Sequence, residues 1–87
     1  MEGKGLVKLM EECGELTQIA AKRLAVKQGD EHWDGKGSLK KRLEDEIADV
    51  IAAAAFVSAK LHLDGDVIEA RAAKKLAKFH GWDKEVK

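Results

Sequence analysis

The chain contains no proline and no tyrosine, and only one cysteine. Without proline, nothing removes a backbone donor from the middle of a helix. The single Cys13 forbids an internal disulfide, so the sequence carries no mark of an oxidising compartment. Aromatic residues make up 5%, too few for the stacking platforms that grip single-stranded nucleic acid. A surplus of one charge is also lacking: 16 Lys and Arg balance 16 Asp and Glu, for a formal net charge of zero. Duplex binders need positive charge to displace counterions, so nucleic acid is not an expected partner. No stretch approaches the roughly 18 apolar residues of a membrane-spanning helix, and Met1-Glu2-Gly3-Lys4 is no signal peptide. The expectation is a soluble, cytoplasmic protein with no membrane partner.

The 87 residues suffice for one domain, taken as 1–87. Of 39 apolar residues 13 are Ala, which buries little area. The remaining 26 are a thin supply for a core, and a chain this short commonly completes its burial by oligomerising. Ala, Leu, Lys and Glu dominate, and no run of β-branched alternation is long enough for a strand. The fold class read from these features is all-α. Three helices form an antiparallel bundle completed by dimerisation, with a four-helix core across the dimer.

The first helix is predicted from about Gly5 to Lys27. Leu6, Leu9, Met10, Cys13, Leu16, Ile19, Ala20 and Leu24 form one broad stripe on it at 3.6-residue periodicity. Cys13 reads as a small core residue, and Gly14 is a candidate for a close helix contact. A polar loop follows, from Gln28 to Ser38, with Trp33 as its one large apolar side chain. Its glycines and charges predict mobility. Ser38 offers an N-cap to a second helix from about Leu39 to Leu63, striped by Leu39, Leu43, Ile47, Val50, Ile51, Ala54, Val57 and Leu61. The run Ala52 to Ala55 suits close approach of another helix. Asp64-Gly65-Asp66 breaks this helix, and either Asp can cap a third, about Val67 to His80, which Gly81 would end.

Most acids here lie on solvated faces, Glu11 among them. Glu12 and Glu46 instead sit at the margins of the apolar stripes, with Glu15 and Asp49 about 60° further round. Each long helix thus carries an acid pair at i, i+3, on one face. Antiparallel pairing can bring the four carboxylates together. Such a cluster repels itself strongly unless cations neutralise it. Oxygen-only donors suit Mg²⁺ best, with Mn²⁺ possible, and no His or Cys stands at zinc spacing.

At these residues the sequence resembles a known family. Glu11-Glu12-Cys13-Gly14-Glu15-Leu16 and Glu44-Asp45-Glu46-Ile47-Ala48-Asp49-Val50 are similar to the E-E-x-x-E and E-x-x-D motifs of the MazG-like all-α nucleoside triphosphate pyrophosphohydrolases. The loop around His32-Trp33-Asp34-Gly35 and the stretch from Arg71 to Trp82 resemble the small phage and bacterial members. The resemblance implies an enzyme that hydrolyses a nucleoside triphosphate, ribo or deoxy, to the monophosphate and pyrophosphate. It implies that Glu12, Glu15, Glu46 and Asp49 hold Mg²⁺, that the active unit is a homodimer or dimer of dimers, and that the role is nucleotide-pool house-cleaning. Thirty residues separate Glu15 from Glu46, slightly more than is usual in the family. Phosphoribosyl-ATP pyrophosphohydrolase is a relative with similar motifs and a shorter loop between them. A non-catalytic helical dimerisation module is the reading from a different class.

For the hydrolysis, the expected proton acceptor is Glu15, which lies farther from the core than Glu12. Pyrophosphate also calls for cations. Lys22, two turns beyond Glu15 on nearly the same face, is one candidate; Lys75 and Lys78, which share a face of the third helix, are two more, although each also reads as a solvated lysine. Trp33 can stack on a base or lid the site, or else pack on its own domain. His32, His62 and His80 share no face and read as surface or capping residues.

Overall fold

A computed structural model describes residues 2–85. Three helices follow one another: α1 (Glu2–Ala25), α2 (Leu39–Lys60) and α3 (Gly65–Glu85). Among the described residues no strand accompanies them, and a lone antiparallel bridge between Glu31 and Ser38 pinches the loop that joins α1 to α2. The protein is all-α, and no described helix is long and apolar enough to cross a membrane.

The caps explain where helices begin. Ser38 Oγ accepts from the Lys41 backbone N–H at 3.2 Å, the expected N-cap of α2. A second cap comes from the loop: Asp30 accepts from the Ser38 hydroxyl and, at 2.9 Å, from the Lys40 N–H. Asp64 caps α3, its Oδ1 accepting from Asp66 N–H (3.0 Å) and Val67 N–H (3.2 Å). Gly81 does not end α3, which continues to Glu85. Side chains bridge the glycine: Phe79 stacks on Trp82 with centroids 5.1 Å apart, and Lys78 Nζ lies 5.7 Å from the Trp82 ring.

α1 and α2 pack antiparallel around Ile19, Leu39, Ala53 and Val57, the buried apolar residues of the chain as described. The broad stripe on α1 splits. Leu9, Leu16 and Ile19 turn toward α2, whereas Leu6, Met10 and Leu24 are exposed. Cys13, expected in the core, is exposed as well. One partner helix covers only part of a stripe this wide. The close contact falls at Gly5, not Gly14. A Cβ at Gly5 would sit 3.2 Å from the Phe56 ring and 3.3 Å from Val57, while one at Gly14 would meet nothing within 4 Å. From the Ala52 to Ala55 run, Ala53 alone is buried.

α3 projects from this hairpin and packs on neither of the other helices to any extent. Its Val67, Ile68, Leu76, Phe79 and Trp82 are all between 44% and 64% exposed. The accessible surface is 7031 Å², against about 5,000 Å² for a compact monomer of this mass. The radius of gyration is 15.7 Å, against about 12 Å for a compact domain of this length.

A candidate metal centre between the long helices

Glu12 and Glu15 lie one turn apart on α1, Glu46 and Asp49 one turn apart on α2. Antiparallel packing sets the pairs against each other, so that Asp49 faces Glu12 and Glu15 faces Glu46. Glu12, Glu46 and Asp49 each offer a carboxylate oxygen within 4.8 Å of the others. Glu15 stands outside this triad, more exposed, beside Glu46. Next to the cluster a recess of about 360 Å³ is lined by Lys8, Glu12, Asp49, Ala52, Ala53 and Phe56.

Electrostatics mark these acids off from their neighbours. Glu11 and Asp45 are matched by Lys8 (3.0 Å) and Lys41 (2.7 Å) in exposed helical pairs. Glu12 Oε2 and Glu46 Oε2, by contrast, are buried with no hydrogen-bond partner. Burial raises the carboxyl pKa of both, and nearby carboxylates raise it further: Glu15 and Asp49 for Glu12, and Glu15, Asp49 and Glu12 for Glu46. A divalent cation fits this arrangement. The donors are all oxygen, two of them lack partners, and oxygens at neighbouring positions about 2.1 Å from an octahedral Mg²⁺ lie about 3.0 Å apart. Closing the triad on an ion therefore draws in oxygens that stand up to 4.8 Å apart by as much as about 1.8 Å.

The raised values fix the sign of a pH dependence. Glu12 and Glu46 take up protons on folding, so in EDTA they destabilise the protein fully at neutral pH, and less as pH falls toward their ordinary value of 4.5. Asp30 and Asp34 are lowered from 3.8, so the stability they supply is lost only below that pH. Thermal melts in EDTA should therefore show a maximum in the mildly acid range, and Mg²⁺ should stabilise more at pH 7 than at pH 5. A melting temperature that rises steadily from pH 5 to pH 7 in EDTA would count against the repulsive cluster.

A second polar node lies on the loop. Asp34 accepts from both Nη atoms of Arg42 at 3.1 Å, in a fork, and from Lys22 Nζ at 2.9 Å. These cations, Arg42 first, hold the Asp34 carboxyl far below the usual aspartate range. The node sits on a turn closed by Gly35 N–H donating to the His32 carbonyl at 3.1 Å. His32 Nδ1 accepts from the Asp34 N–H at 3.0 Å. The His32 side chain is only 9% exposed, so it is an internal part of the loop and not a surface residue. The loop is accordingly tied down by Asp30 and Asp34, where composition predicts slackness.

Of the expected site residues, the four acids come together. Lys22 stands two turns along α1 from Glu15 and is paired to Asp34. Trp33 is 77% exposed and stacks only on His32, with centroids 3.7 Å apart. Within one chain Lys75 and Lys78 stay away from the acids, lining a groove of about 220 Å³ on α3 with Arg71 and Lys74. Lys8 and Arg42 are additional cations of the site region. Their signal in the sequence is spacing: Lys8 stands four residues before Glu12 and Arg42 four before Glu46, one helical turn in each case. No protein-family model, curated protein or solved structure matches the chain.

Proposed function

We propose that the protein is a Mg²⁺-dependent nucleoside triphosphate pyrophosphohydrolase of the MazG-like type, with Mn²⁺ as a workable substitute. In this reading it acts in the cytoplasm on ribo- or deoxyribonucleoside triphosphates, and nucleotide-pool house-cleaning is its role. The carrying observation is the triad Glu12, Glu46 and Asp49 from two helices, with Glu15 beside it and with Glu12 Oε2 and Glu46 Oε2 buried and unpartnered. Unpaired carboxylate oxygens persist against their repulsion where a cation completes them.

Glu12, Glu46 and Asp49, with Glu15 beside them, would hold the ion. When bound it neutralises phosphate charge and lowers the pKa of a water molecule. Glu15, the acid outside the triad, would take the proton from a water that attacks the first phosphorus, as the bond from that phosphorus to the bridging oxygen breaks and the outer two phosphates leave as pyrophosphate. The products are the monophosphate and pyrophosphate. Lys8 contributes a cation at the rim of the recess, and the exposed Trp33 supplies a face on which a base can stack.

Surface area favours a second copy of the chain. The excess of about 2,000 Å² over a compact monomer is what one subunit of an obligate dimer commonly buries. The exposed apolar residues fall into place for this: Leu6, Met10 and Leu24 continue one side of α1, and Ile47 and Ile51 the corresponding side of α2. A homodimer, alone or doubled, joins these sides into a four-helix core and leaves α3 free to carry Lys75 and Lys78 to a partner's phosphates.

The decisive test is release of pyrophosphate from mixed nucleoside triphosphates with Mg²⁺. Pyrophosphate and monophosphate in equal amounts are expected, and no release with any of the common triphosphates would remove the reading in favour of a helical association module.

A further inference from the structure

We propose that Lys22 and Arg42 form a binding subsite for the distal phosphates of a polyphosphate, and that Asp34 occupies this subsite until a phosphate displaces it. The inference deepens the preceding reading and rests on it in one respect: the acid cluster is taken as the metal-binding end of the same groove.

Position comes first. Lys22 lies seven residues beyond Glu15 on α1, about 10 Å along the axis, and Arg42 four residues before Glu46 on α2, about 6 Å. Because the helices are antiparallel, both cations fall at the same end of the acid cluster. They also share a flank with it. Counting 100° per residue, Lys22 falls about 20° from Glu15 on α1, and Arg42 about 20° from Asp49 on α2. A ligand anchored at the acids and extended along the hairpin therefore meets these two cations next.

Charge and geometry come second. Two cations face one carboxylate, so the node keeps a net positive charge of one. The Arg42 fork holds Oδ1 and Oδ2 at 3.1 Å each, and Lys22 holds Oδ2 at 2.9 Å. A phosphate offers the same pair of oxygens to an arginine fork and carries more charge than a carboxylate. It competes on favourable terms.

The holder, finally, is able to leave. Asp34 belongs to the short turn His32–Gly35, and its side chain contacts the body of the protein only through these two cations. Its other side-chain neighbours, the Lys36 N–H at 3.2 Å and His32 Nδ1 at 3.4 Å, lie within the loop and would move with it. Trp33, the residue before it, is largely exposed and stacks on His32. Displacing Asp34 thus also moves the one large apolar ring of the loop, and so couples phosphate binding to the position of the ring offered to the base.

The probe is inorganic tripolyphosphate in EDTA, which carries no base, needs no metal and undergoes no hydrolysis here. Binding is followed by Trp33 emission in a Trp82→Phe background. Asp34→Asn keeps the shape and removes the competing charge, so it should bind tripolyphosphate about tenfold more tightly than the parent. The gain should vanish in Asp34→Asn/Arg42→Gln. Equal affinity of Asp34→Asn and parent, or a gain that survives Arg42→Gln, overturns the proposal. If Asp34→Asn does not fold, Arg42→Lys in the natural chain decides: it keeps the charge but loses the fork, so affinity should fall several-fold with the helical circular dichroism intact, and unchanged affinity overturns the proposal. Failure of pyrophosphate release with this binding pattern intact would sink the hydrolase reading alone; the reverse result would sink the subsite alone.

Discussion

Glu46→Gln should abolish hydrolysis and, in the absence of metal, make the protein more stable. Both effects follow from one environment. The Glu46 carboxylate is pushed toward its protonated form by burial and by Glu15, Asp49 and Glu12 around it. An amide of the same shape removes that repulsion and can donate to the neighbouring carboxylates, so the melting temperature in EDTA should rise. The same change deletes a metal ligand. Losing a partner of a ligand costs about 10- to 100-fold, and losing the ligand itself should lower kcat/KM by at least about 100-fold. Glu12→Gln is expected to behave alike, since Glu12 Oε2 is equally buried and unpartnered. Wild-type rates in both variants would dispose of the metal centre. A fall in activity accompanied by a lower melting temperature in EDTA would mean instead that these acids are structural.

The second large effect is expected at a largely exposed position. Ile51 is 64% exposed in the single chain. If the chain worked alone, Ile51→Glu would be a surface change worth no more than about 0.5 kcal/mol. If a second copy covers this face, the change buries an unpaired charge among apolar groups and costs about 3 kcal/mol or more. Light scattering at about 10 µM should give at least twice 9.5 kDa for the parent. The variant should lose the dimer and much of its helix together, because four buried apolar residues are too few to hold a lone hairpin. A parent that scatters as a well-folded monomer, or an Ile51→Glu variant with an unshifted melting curve, would exclude the four-helix core.

Much of this architecture was legible because it repeats along the chain. Absence of proline, Ser38 ahead of an apolar stripe and Asp64 ahead of another marked three helices, and the acids showed themselves by interrupting a periodic pattern at i, i+3. Features carried by single contacts were not legible. Asp30 and Asp34 stand in a segment with no period, and their partners Lys40, Arg42 and Lys22 are assigned only once the loop has folded back. The burial of Cys13 was misread for a different reason. A stripe wide enough for two neighbours does not say which half faces the helix of its own chain, and here that half carries Leu9, Leu16 and Ile19. Gly81 looked like a stop signal because glycine permits a left-handed cap. The helix runs on through it to Glu85, with Phe79 and Trp82 in contact on either side.

Gly5 has a consequence beyond the close approach of two helices. The ring that would collide with a side chain there belongs to Phe56, and the same ring forms a wall of the recess that opens beside Glu12 and Asp49. Phe56 is thus held between a backbone on one side and the acid recess on the other, with Lys60 Nζ 5.6 Å from its centroid. The aperture beside the carboxylates is therefore gauged at a distance. A hydrogen atom at position 5, about two turns from the first acid, decides how far the ring stands back and how large a group the opening admits.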